Sequence, residues 1–186
     1  MKVVEILEEI KSTSKSTEKL AIMKRNADNI YFKSALHYSS NPFKPFHVAK
    51  VPRVKVTDRA ANLLSEEIAW PAFYSLLDQC ASRSVTGNAA INLLHSLFQT
   101  VDKNTESWMR KILKKHLAIG VSVKSINKAF PGFIPTFEVS LAQKFDMKRI
   151  GNRKTVAVEP KLDGIRCFTI VEGDAAIMLA RSGKPI

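Results

Sequence analysis

The apolar period of this chain changes once, and that change limits the possible folds more than any other feature. Up to about residue 135 the spacing is helical. The opening segment "KVVEILEEI" sets Val3, Ile6, Leu7 and Ile10 on one face of a helix. "STEKLAIMKRN" predicts a second helix with Ser16 as its N-cap, and "DNIYFKSALHYSS" a third capped by Asp28. Pro42, Pro45 and Pro52 then exclude a helix through "NPFKPF" and "KVPRVKV", which read as a basic extended loop carrying aromatics. Helices resume after Thr57. Pro71 fits the first turn of "PAFYSLLDQCASR", Thr86-Gly87-Asn88 turns into "NAAINLLHSLFQT", and Gly120 ends "NTESWMRKILKKHLAIG". A last helix starts at Ser122 and stops before "PGFIP". Trp70, Phe73, Phe98 and Trp108 sit at helical spacing and are assigned to the core.

Beyond about residue 140 the pattern is that of strands. "TVAVEPKLDGIRCFTIVEGDAAIMLARSG" is rich in Val, Ile, Thr and Phe and is broken by Asp-Gly and Gly-Asp turns, predicting about three strands. The expected architecture is mainly α: an all-helical domain over residues 1–135, a linker over 136–150, and the first strands of a further domain over 151–186. So few strands do not make an independent core.

Charge narrows the partners. Against 17 Asp and Glu stand 29 Lys and Arg, a formal net charge of +12. Such a surplus suits a polyanion, nucleic acid before anionic membrane. No apolar run approaches the ~20 residues that cross a bilayer, and Glu5, Glu8 and Glu9 argue against a cleaved targeting peptide. Cys80 and Cys167 stand far apart, outside any CxxC spacing, and read as free thiols of a reducing, cytoplasmic compartment. His37, His47, His95 and His116 have no metal-ligand spacing, and no metal ligand is expected within this chain.

The stretch "VEPKLDGIRCF" carries the chemistry. Asp163-Gly164 alone is an adequate hairpin turn, but a turn does not call for Lys161 or Arg166. Four fixed residues at ~6% usage each meet at a given position with odds on the order of one in a hundred thousand. A lysine attacks phosphorus only as the neutral amine, which is scarce at neutral pH because the free pKa is about 10.4. A fixed cation such as Arg166, with a bound metal and partial burial, favours that neutral form.

"KLDGIR" resembles the K-x-D-G-x-R motif of the covalent nucleotidyltransferases, which comprise ATP-dependent DNA ligases, RNA ligases and messenger-RNA capping enzymes. The resemblance implies that Lys161 is the nucleophile taking AMP from ATP. It also implies that Glu159 reads the adenine edge, that Arg166 contacts the nucleotide, and that Mg²⁺ assists. "LARSGKP" resembles the family's second motif, usually S-R-x-G: Arg181 and Gly183 match, and Ala180 stands where serine is usual. A long helical domain ahead of the lysine is a DNA-ligase trait. "TGNAAI", "GVSVKSINKAFPGFIP" and "SLAQKFD" are similar to the ATP-dependent DNA ligases of T-even-type bacteriophages, in the same order. The β-rich segment is then implied to open an α+β adenylation domain.

Two helix starts are the expected DNA contacts. Small residues there leave backbone N–H groups and the positive end of the helix dipole open to a phosphate. Thr86, Gly87 and Asn88 form the first, and Gly120 and Ser122 with Lys124 and Lys128 the second. Both glycines are expected to admit the DNA backbone closely, and Lys111, Lys114 and Lys115 to add charge. Helix capping with solvated lysines remains the plain reading of either loop alone. The resemblance implies the N-terminal part of a ligase sealing nicks in duplex DNA, in the host cytoplasm if phage-encoded. The family's later motifs cannot fit after Ile186. The chain is therefore expected to be truncated, inactive alone, and open to a complementary C-terminal ligase fragment. The rival readings are a non-catalytic DNA-binding protein with a vestigial lysine motif, and an RNA ligase or capping enzyme.

Overall fold

The structure, a computed structural model, describes residues 1–137 and 166–181, with residues 146, 148, 151, 155, 157, 158, 160, 164 and 186. It divides into two compact units, Met1–Pro135 and Thr136–Ile186. The first is helical and the second contributes a β-hairpin, so the chain is mainly α with the start of a β element. Most of the 136–150 linker, and Asp163 of the Asp163-Gly164 turn, lie outside the described residues.

The helical unit holds α1 (Val3–Ser12), α2 (Ser16–Arg25), α3 (Ile30–Ser40), α4 (Glu66–Ala81), α5 (Gly87–Gln99), α6 (Lys103–Leu113) and α7 (Val123–Ala129). Val3, Ile6, Leu7 and Ile10 are all buried, as the α1 stripe requires. α1 packs on α2, α3 and α6, while α4 bridges α3 to α5 and α7 rests on α2. Trp70, Phe73, Phe98 and Trp108 are fully buried within one core. Two of its large aromatic side chains place their polar atoms on partners. The Trp108 indole donates to Glu8 Oε1 at 3.1 Å, and the Tyr74 hydroxyl donates to the Tyr31 carbonyl at 2.7 Å. No described helix is long and apolar enough to cross a membrane.

Four local expectations change. α2 begins at Ser16 itself, with Lys15 as N-cap. α3 is capped by Asn29, whose side chain accepts from Phe32 N at 2.9 Å, not by Asp28. Either residue type makes this cap, and only the position that presents its oxygen to the third N–H can serve. α4 starts at Glu66, a turn earlier than expected, which places Pro71 inside it. Glu66 and Glu67 favour the positive helix end, and burial of Ala69 and Trp70 draws the extra turn in. Pro71 then leaves the Glu67 carbonyl without its helical donor.

The fourth change is at the end of α6. The helix stops at Leu113, and Lys115, not Gly120, takes the left-handed position, at φ 57°. Lys115 N donates to Ile112 O at 2.9 Å and His116 N to Lys111 O at 3.0 Å, the paired bonds of a Schellman ending. The lysine tolerates this conformation because its ammonium is captured by the carbonyls of Tyr38 and Asn41, at 2.7 and 3.0 Å.

The extended segment after α3 is anchored from both ends. Phe46 is buried and stacks on Tyr38, with the Lys115 ammonium 4.2 Å from its ring centre. Further on, Arg59 enters a buried charged cluster. It donates to the carbonyls of Phe98 (3.1 Å) and Val101 (2.6 Å) and pairs with Glu106, which Arg110 approaches at 3.6 Å. In the second unit, β1 (Cys167–Glu172) and β2 (Ala175–Ala180) pair antiparallel across a Gly173-Asp174 turn, with Cys167 opposite Ala180. About three strands were expected; two occur among the described residues.

Glu106 is 5% exposed; Arg59 ties the segment before α4 to it, and Arg110 joins it from within α6. Glu106→Ala strands a buried cation and is expected to cost about 3–5 kcal/mol in urea unfolding of the chain. A loss below about 1 kcal/mol would show that the cluster is solvated like a surface pair.

Candidate nucleic-acid interface

The first helix-start loop is built by the end of α4. Ser82 N donates to Asp78 O, and Arg83 follows in the left-handed region at φ 61°. Val85 N and Ser84 Oγ both donate to Gln79 O, at 3.2 and 3.1 Å, which folds the chain back into Thr86. Thr86 is the N-cap of α5, yet its side chain caps nothing. α3, α6 and α7 each have a side-chain oxygen on their first turn. α5 lacks one, as α2 and α4 do, and its first residues Gly87, Asn88 and Ala89 are exposed, so its leading N–H groups have no side-chain acceptor. Gly87 has φ +56° and nothing within 4 Å of where a Cβ would stand.

Two cationic or titratable side chains flank this loop that the sequence reading passed over. Arg83 and His47 line a depression of about 750 Å³ together with Thr86, and the Arg83 guanidinium lies 3.5 Å from His47 Nδ1. The available signal was the basic residue in "SRSVTG", three positions before Thr86.

The second loop is held differently. Gly120 has φ +64°, but a Cβ there would meet the Lys19 ammonium at 2.5 Å. Lys19 is buried and donates to the carbonyls of Ile119 and Gly120. The close neighbour that excludes a side chain at Gly120 is therefore Lys19. Ser122 Oγ accepts from Ser125 N at 3.2 Å and caps its own helix. Lys124 and Lys128 are exposed, four residues apart on α7, and Ile126 fixes that helix to the core. Asn127 exchanges two 2.8 Å hydrogen bonds with the backbone of Ile134, which closes the turn after α7.

The additional lysines divide. Lys114 is exposed and Lys115 is committed to the carbonyls already named. Lys111 lies over the Trp108 ring at 3.5 Å. Burial lowers its pKa, with the Lys11 ammonium adding to the shift and Glu8 opposing it.

Of the nucleotide motif, Glu159, Lys161, Asp163 and Gly183 lie outside the described residues. Arg166 and Arg181 are described and exposed. Arg166 precedes β1 by one residue and Arg181 follows β2 by one, and Cys167 pairs with Ala180. The register thus sets both arginines at the same end of the hairpin. Among the described residues no group of three His, Cys, Asp or Glu is arranged to hold a metal.

No family model matches the chain. Over 98% of its length it is 30% identical to the DNA ligases of Enterobacteria phage T4 and Enterobacteria phage T6, and it spans 38% of their length. Two solved structures named Pmar-Lig_PreS3 and Pmar-Lig_Pre. match the whole chain with a TM-score of 0.77. Their sequence identities are 27% and 28%, and the chain spans 43% of each.

The two glycines should respond differently to a methyl group. Gly87→Ala places alanine in the left-handed region with no clash, a cost of about 1–2 kcal/mol. Gly120→Ala adds displacement of the buried Lys19 ammonium from its carbonyls, about 1.5–3 kcal/mol more. Urea unfolding of both variants reads the difference, and equal costs would contradict the assigned role of Lys19.

Proposed function

From the likeness to the phage DNA ligases, we propose that this chain is the DNA-engaging N-terminal part of an ATP-dependent ligase that seals nicks in duplex DNA. The observation that carries the reading is that likeness, which runs through 98% of the chain. The "KLDGIR" motif supports it by falling within the matched region. Residues 1–135 bind the DNA backbone, 136–150 connect, and 151–186 open the adenylation domain.

In this reading the uncapped start of α5 and the loop leading into α7 contact phosphates, with Arg83, Lys124 and Lys128 supplying charge. Contacts of that kind are independent of sequence, which suits an enzyme that acts at any nick. Lys161, as the neutral amine, attacks the α-phosphorus of ATP. A phosphorus–nitrogen bond forms, and the bond to pyrophosphate breaks. The 5′-phosphate oxygen at the nick then displaces Lys161 from that phosphorus, and the 3′-hydroxyl finally displaces AMP. Arg166 and Arg181, at one end of the hairpin, are placed to meet negative charge on the nucleotide. Glu159 reads the adenine. Mg²⁺, when bound, would neutralise charge on the phosphates. Among the described residues no group of three His, Cys, Asp or Glu is arranged to hold it.

Duplex DNA should bind the chain without sequence preference and release it steeply with salt. Lys124→Glu with Lys128→Glu should weaken binding to all sequences alike in an anisotropy titration; unchanged affinity would remove α7 from the interface. In the full-length protein, incubation with ATP should add AMP, as read by intact mass, and Lys161→Ala should abolish the adduct. Labelling by NAD alone would overturn the nucleotide assignment.

A further inference from the structure

One basic surface takes no part in the two helix-start loops. Along α6, Lys103, Ser107, Arg110 and Lys114 recur at spacings of four, three and four residues. At 3.6 residues per turn they share an arc of about 60° and run for about 16 Å along the axis. Arg53, from the extended segment before α4, joins them, and with Lys111 they line a pocket of about 430 Å³. Val54 contributes an apolar contact. The acid among the lining residues is Glu106, and its charge is taken by Arg59 and Arg110. Among the described residues, Arg53, Lys103, Lys111 and Lys114 have no carboxylate within 4 Å, the limit for an ion pair.

A solvated helix face normally interleaves both signs. This one gathers cations from two chain segments around a cavity and holds its one acid out of play. The cations form a line rather than converging on a point. A line suits a phosphate chain better than a single anion.

We propose that this pocket is a further phosphodiester-binding site of the helical unit, formed by Arg53 and the Lys103–Lys114 stripe of α6. The site lengthens the DNA footprint beyond the loops at Thr86–Asn88 and Gly120–Ser122. It rests on the reading that the helical unit binds DNA. The same chemistry would accept a free polyphosphate, so the test includes both.

The triple variant Arg53→Gln, Lys103→Gln, Lys114→Gln alters exposed side chains only, and its thermal midpoint should match the wild type. Duplex affinity of the 186-residue chain is measured across a salt series. The slope of log K against log salt should fall by about two to three in the triple variant, because each lost phosphate contact removes about 0.9. Affinity at fixed salt should drop at least about tenfold. Lys103→Arg with Lys114→Arg, which keeps the charge, should retain the wild-type slope. An unchanged slope in the triple variant, with a reduced slope in Lys124→Glu/Lys128→Glu, overturns the pocket and leaves DNA binding standing. No duplex binding by the wild type at low salt overturns both. If inorganic tripolyphosphate stabilises the wild type but not the triple variant, and the duplex slopes agree, the pocket takes a small polyphosphate and the backbone assignment fails.

Discussion

The ammonium of Lys19 is withdrawn from solvent and answered by two backbone carbonyls a hundred positions along the chain, Ile119 and Gly120. A buried cation without such partners costs far more than a surface charge. The loop entering α7 therefore cannot drift from α2 without leaving that charge unsatisfied. This one requirement explains three features together: α7 rests on α2, residue 120 is glycine, and the chain arrives at Ser122 in register to cap the last helix. A seven-residue helix is far below the length that is stable alone in water. Its place in the unit depends on this anchor, on Ile126, and on the Asn127–Ile134 exchange.

The same logic sorts the rest of the positive charge. Lys19, Arg59 and Lys115 are structural cations: the ammonium groups and the Arg59 terminal nitrogens end on carbonyls or on Glu106. Lys44 pairs with Asp78. Arg53, Lys103, Lys114, Lys124 and Lys128 instead face solvent. The net charge of +12 thus overstates the charge presented to a partner and hides its distribution. Captive cations hold the loops between helices, and exposed ones border the open start of α5, the outer face of α7 and the stripe on α6.

How much of this was legible in the sequence depended on the range of the interaction. The α1 stripe and the burial of Trp70, Phe73, Phe98 and Trp108 follow from helical periodicity, a local property, and both hold. So does the passage from helix to strand. Caps were displaced by one residue at Ser16 and Asp28: at the second, the neighbouring Asn29 has similar chemistry and takes the cap, and at the first Lys15 occupies the position without a side-chain cap. Pro71 was placed too near the helix start because burial of Trp70 outweighs the loss of one hydrogen bond. The role of ending α6 fell to Lys115 and not to Gly120 for a reason no window reveals. Each conformation is fixed by a partner far away, Lys19 for the glycine and the Tyr38 and Asn41 carbonyls for the lysine. Of the candidate site, the sequence singled out the helix starts, the lysine motif and the two arginines. The shared hairpin end of Arg166 and Arg181 came only from strand register.

The central claim is that the helical unit meets the DNA backbone through N–H groups at its helix starts. Amide chemical shifts of the isotope-labelled chain, followed during titration with a nicked duplex, address it directly. The account predicts the largest perturbations at Gly87, Asn88 and Ala89, with a second group from Val121 to Lys124, and little change at the buried amides of α1. Perturbations confined to other surfaces, with Gly87–Ala89 unmoved at saturating DNA, would contradict it.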